Sequence, residues 1–193
     1  MNWQIILNPI RRFSAKQLLT FGITSTIVGS LIASIIDVTF DGLIDVHLHP
    51  EMTFLTSLKE NSILVAIITL LLFVFGKIIN TKTRFIDILN CCLLFRIPFY
   101  VSALLTSIPF MKNVEEEVIK NINSLDKINL QPTDLIGILI LSVLLIILLI
   151  YAIILLFNGF KTATNAKKTV HFSVFGIIIL FAEIISKFIL SSL

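Results

Sequence analysis

The stretch IDVHLHPE, Ile44 to Glu51, holds the densest set of groups able to do chemistry in this 193-residue chain. Asp45, His47, His49 and Glu51 fall on every second position, and in an extended segment such side chains point the same way. Carboxylate oxygens and imidazole nitrogens together suit a divalent transition metal, so a loose metal site is geometrically available there. A second set of polar groups lies inside apolar runs: Asp87, Asn90, Arg96 and Pro98 in one, Glu183 and Lys187 in another.

The metal reading does not extend to hydrolysis. D-x-H-x-H is similar to the strand that opens the metal site of amidohydrolase barrels, but such a site draws further His, Lys and Asp ligands from later strands. The only other histidine here is His171. There is no H-E-x-x-H, no G-x-S-x-G, no P-loop and no Asp pair in an intramembrane small-residue motif. The expectation is a protein that is not an enzyme and carries no cofactor, with Asp45 to Glu51 in a solvated acidic loop. Cys91 and Cys92 are adjacent, a spacing at which a bridge distorts the backbone and a metal lacks further thiolates, so they read as packing residues.

The elements that position these groups are membrane helices. From Leu135 to Phe157 no charge, proline or side-chain amide interrupts the chain. At about 1.5 Å per residue that segment is roughly 34 Å long, enough to cross a ~30 Å hydrocarbon layer. Mean hydropathy of +1.01 and 56% hydrophobic residues extend the theme over the whole chain. Spans are expected at about 17–36, 62–79, 85–108, 135–157 and 169–190, giving an all-α polytopic integral membrane protein of one domain, 1–193. The net charge of +3 does not point to nucleic acid, because the cations flank apolar segments instead of forming a stripe.

Five spans place the termini on opposite sides. Arg11, Arg12, Lys16, Lys77, Lys82, Arg84, Lys161, Lys167 and Lys168 fall on one side, and only Lys59, Lys112, Lys120 and Lys127 on the other. The positive-inside rule then sets the N-terminus inside and the C-terminus outside. After Ile36 comes DVTFDG, which lacks a small-x-small cleavage signature, so the first span is expected to be retained. Residues 1–16 read as an interfacial segment kinked at Pro9, with Trp3 at headgroup level and Arg11 and Arg12 near anionic lipid. In NVEEEVIKNINSL, from Asn113, residues Val114, Val118, Ile122 and Leu125 share a face and predict a short surface helix.

A charge at mid-membrane normally faces protein or water. Arg96 is the clearest case, and counting depth from the span centres predicts a buried pair with Glu183 of the last span. Asp87 falls near the headgroups, Lys187 near the outer interface, and Pro98 removes an N–H and invites a kink.

The third span, TRFIDILNCCLLFRIPFY from Thr83 to Tyr100, with its polar entry, amide-rich first half and mid-membrane proline, resembles the corresponding helix of the Yip-one domain family of Ypt- or Rab-interacting membrane proteins. WQIILNPIRRFSAKQ is similar to the W-x-x-I-x-x-P-x-x-x-F lead of small bacterial members, FGKIIN precedes the third span, and NGFKTATNAKKT links the last two. The resemblance implies five helices, a cytoplasmic N-terminus and, in eukaryotic relatives, binding of prenylated Rab-type GTPases. The chain lacks the long hydrophilic N-terminal domain and the D-L-Y-G-P and G-Y-S segments of those relatives, which removes the Rab partner from the expectation. What remains is a bacterial inner-membrane protein that organises the bilayer, self-associates or binds membrane protein partners. The competing expectation is a small transporter or channel using the polar centre of the third and fifth spans.

Overall fold

The computed structural model describes residues 3–49, 51–121 and 130–192, without the side chains of residues 3, 4, 109, 112, 115 and 116. It is all-α: α1 (Trp3–Leu7) and a 3-10 turn (Pro9–Arg11), α2 (Ala15–Ile35), α3 (Phe54–Ile79), α4 (Phe85–Thr106), α5 (Pro109–Lys120), α6 (Pro132–Thr164) and α7 (Thr169–Leu190). Between α2 and α3, β1 (Val38–Thr39) and β2 (His47–Leu48) pair antiparallel, Val38 opposite Leu48 and Thr39 opposite His47. Helices α2, α3, α4, α6 and α7 are long and apolar enough to cross a membrane, so the protein is a multi-pass membrane protein. The expected side chain of Trp3 at headgroup level, and the expected positions of Ile122, Leu125 and Lys127, lie outside the described residues.

The helix ends follow local chemistry. Ser14 Oγ accepts from Gln17 N at 3.3 Å while Gln17 Oε1 accepts from Ser14 N at 3.0 Å, a reciprocal cap that starts α2. Asp37, at φ 54°, turns the chain out of α2 in the left-handed conformation that Asp tolerates better than most residues. Thr53 Oγ1 accepts from Thr56 N to start α3, and Asn165, at φ 55°, ends α6.

Two spans are longer than hydropathy indicates. α3 begins at Phe54, not near Ser62, because Ser57 and Asn61 are buried among neighbouring helices. A window that counts them as solvent-seeking stops short of them. α6 runs on from Phe157 to Thr164, so the first half of the expected linker is helix, and its 33 residues make roughly 50 Å at about 1.5 Å each. Phe160 and Thr164 are buried in that extension, Phe160 stacking on Phe75 at 5.6 Å and tilted against Phe175 at 5.1 Å.

Helix α4 occupies the centre, packed against α2, α3 and α6, while α7 packs on α3. The face α2 presents to this core is made of small residues: Gly22, Thr26, Gly29, Ser30 and Ala33 are all buried. A Cβ on Gly22 would fall 2.6 Å from Leu93 Cβ, so the backbones of α2 and α4 approach more closely than an alanine permits. Cys91 and Cys92 are buried free thiols in α4. The helix runs on through Pro98, whose carbonyl accepts from Ser102 Oγ at 3.0 Å.

Candidate functional site

The polar centre is built on Arg96, wholly buried midway along α4. Its Nη1 donates to the Leu43 carbonyl at 2.7 Å and its Nη2 to Asn61 Oδ1 at 3.0 Å. Asn61 in turn donates to Ser30 Oγ and to the Ser57 carbonyl, both at 3.0 Å. The guanidinium lies 5.0 Å from the Phe40 ring, 5.1 Å from Phe99 and 6.0 Å from Tyr100. These faces supply cation–π attraction where water is excluded. One network thus ties α2, α3 and α4 to the connection 36–53.

The described residues of Asp45–Glu51 are intermediate to exposed, in keeping with the solvated loop expected there, but the stretch before them is not. Val38, Phe40 and Leu43 are fully buried, and Phe40 meets Tyr100 edge-on at 5.7 Å. Irregular backbone at such a place needs partners for its polar groups. Charged side chains provide them. Glu60 on α3 accepts from Phe40 N at 3.1 Å and from Thr39 Oγ1 at 3.0 Å, Glu183 on α7 accepts from Ile44 N at 3.0 Å, and Arg96 takes the Leu43 carbonyl.

The expected Arg96–Glu183 pair is therefore corrected. Among the described residues Arg96 takes part in no ion pair within 4.0 Å, and Glu183 faces Lys187 at 3.7 Å while holding the Ile44 amide. Depth along the helices was compatible, but the connection 36–53 interposes its backbone between them. Lys187, at the expected far end of α7, bonds Asp45 at 2.6 Å. Asp87 pairs with Arg84 at 2.8 and 2.9 Å at the start of α4.

The Asp45–Glu51 set is rearranged. His47, His49 and Glu51 line one cleft of about 350 Å³ with Asp41, Glu60 and Lys187. Asp45 is drawn to Lys187, whose hydrogen bond holds its carboxyl below the usual carboxylate range. Asp41, absent from the alternating set, lies 3.4 Å from His47 Nδ1. Among the described residues Asp41, Asp45 and His47 place ligand atoms within 4.8 Å of one another, a spacing that a small divalent cation could draw together. Asp41 keeps the same every-second register but is cut off from the polar set by Leu43, which is buried.

At the other end of the bundle the N-terminal segment is stapled to α6. Tyr151 OH donates to the Ile6 carbonyl at 3.1 Å, Asn158 Nδ2 to the Leu7 carbonyl at 2.9 Å, and Asn8 Nδ2 to Thr162 Oγ1 at 2.9 Å. Asn90 Nδ2 donates to the Ala15 carbonyl at 2.9 Å, tying α4 to the start of α2. No known family, no curated protein and no solved structure matches the chain.

Proposed function

We propose that the protein is a non-enzymatic membrane protein of the Yip type that organises the bilayer or binds protein partners within it, with its N-terminus in the cytoplasm of a bacterial cell. The observation that carries this reading is the state of Arg96. Arg96, at mid-span, is fully buried and spends both Nη groups on the Leu43 carbonyl and Asn61, while Phe40 and Leu43 pack beside it. A transport site needs a group that exchanges partners with a passing solute, whereas this one holds a loop. Further support comes from α6, where Leu141 alone is buried between Pro132 and Tyr151 among the described residues. Such a bare stretch is suited to lipid or to another membrane helix.

The test combines flux with capture. Reconstituted vesicles should show no protein-dependent ion or solute flux, and photo-crosslinkers at Ile140 and Ile147 should give discrete protein adducts in native membranes. Flux abolished by Arg96→Ala would replace this reading with the transporter. For orientation, single cysteines at the exposed positions Glu51 and Gln131 should react with an impermeant thiol reagent from outside, and those at Thr81 and Asn165 should not.

A further inference from the structure

Where the N-terminal segment lies on α6, two cavities adjoin. One, of about 240 Å³, is lined by Arg84, Asp87, Asn90 and Thr162 together with Phe13 and Leu18. The other, of about 530 Å³, is lined by Ile6, Phe13, Phe21, Ile97, Tyr151 and Leu155 and shares Phe13 and Leu18 with the first. Its volume lies within the roughly 300–1,000 Å³ of ligand pockets. A polar chamber thus opens beside an apolar one at the ends of the spanning helices.

The orphaned buried group of the polar chamber is an acceptor. Asn90 is 1% exposed, its Nδ2 is spent on the Ala15 carbonyl, and its Oδ1 has no hydrogen-bond partner. Unsatisfied buried acceptors are uncommon in folded proteins and call for a donor. Beside Asn90 stands the Arg84–Asp87 ion pair, with Arg84 largely exposed at the rim and Asp87 mostly covered. A carboxylate engaged by one guanidinium retains acceptor capacity. The complement of this arrangement is a zwitterion whose cationic end carries N–H donors for Asp87 and Asn90, whose anionic end reaches Arg84, and whose apolar tail enters the second cavity.

We propose that these joined cavities bind one phospholipid with a primary-amine headgroup, a phosphatidylethanolamine, its ammonium at Asn90 and Asp87, its phosphate at Arg84 and an acyl chain along Ile97 and Leu155. The site is independent of which side of the membrane it faces and of the function proposed above. Phosphatidylcholine is the discriminating rival, because its quaternary ammonium keeps the charge and loses every N–H donor.

The test is native mass spectrometry of the full chain released from nanodiscs holding equal parts of dioleoyl phosphatidylethanolamine, phosphatidylcholine and phosphatidylglycerol. The amine lipid should be retained about tenfold over the choline lipid, the worth of one charge-assisted hydrogen bond. Asn90→Leu should abolish that preference, and Asn90→Asp, which keeps an acceptor, should retain it even if the loss of the Ala15 contact weakens the fold. Ile97→Trp should lower retention of all three lipids while helicity by circular dichroism stays unchanged. Equal retention of the amine and choline lipids, a preference for phosphatidylglycerol, or no retained lipid would each overturn the proposal.

Discussion

The Leu43 carbonyl oxygen lies 2.7 Å from Nη1 of Arg96, joining residues 53 positions apart at the centre of the bundle. Replacing Arg96 by Leu leaves that oxygen and Asn61 Oδ1 without donors where water does not reach, at about 1–3 kcal/mol for each group. Arg96→Lys should recover only part, since an ammonium lacks the planar fork that serves both acceptors. The expected result is a lowered melting temperature in detergent, with the order parent, Lys variant, Leu variant. Adding Asn61→Leu to Arg96→Leu should cost less than the two single losses combined, because they break one network. Leu-variant melting equal to the parent would mean the bond does not hold the loop.

Packing of α2 on α4 makes a sharper geometric test. A Cβ on Gly29 would enter the Tyr100 ring, whereas one on Gly176 meets nothing within 4 Å. Gly29→Ala should therefore destabilise by roughly 1–3 kcal/mol through overpacking. Gly176→Ala should be neutral or stabilise by up to ~1 kcal/mol through helix propensity. Thermal unfolding followed by circular dichroism separates them, and equal effects would contradict the close approach.

The Asp45–Lys187 contact sets an acid-side dependence. The Lys187 hydrogen bond holds the Asp45 carboxyl below its ordinary value, so the unfolded chain binds this proton more readily than the folded one. The stabilisation is fully present above the unfolded value near ~3.9 and is lost as pH falls through the lower folded value. Both side chains are over a third exposed, which limits the contribution to about 1 kcal/mol or less. Melting curves from pH 6 to pH 3 should fall less steeply for Asp45→Asn than for the parent; parallel curves would show that the contact does not form in solution.

Metal removal gives a fourth outcome. In the cluster of Asp41, Asp45 and His47 the Lys187 ammonium already neutralises Asp45. Chelator should leave the melting temperature unchanged, and His47→Ala with His49→Ala should leave metal content unchanged. A melting temperature lowered by chelator and restored by zinc in the parent, but not in Asp41→Asn or His47→Ala, would assign Asp41 and His47 as ligands.

How much was legible in advance depends on what each residue bonds to. Apolar runs such as Leu135–Phe157 announce themselves because lipid is their only tolerable solvent. Ser57 and Asn61 did not read as parts of a span, since hydropathy scores the free side chain, whereas both are buried here and Asn61 bonds internally to Ser30 Oγ and the Ser57 carbonyl. The mid-membrane position of Arg96 follows from counting, but its partner does not: a backbone carbonyl has no signature, whereas Glu183 invited a charge pair that the intervening chain prevents. The small-residue face of α2 recurs at helical spacing, but hydropathy weighs apolarity and not size, and Asp41 is separated from the polar set by Leu43.

The clasp between Arg96 and the connection 36–53 also bears on biosynthesis. The chain leaves the ribosome N-terminus first, so α2, the connection and α3 are made before α4. When α4 enters the bilayer with Arg96 at its middle, an acceptor from Leu43 and another from Asn61 already exist to receive it. A span with a central arginine is a poor candidate for insertion alone. In this order of elements both acceptors for the central charge are synthesised before the span that carries it.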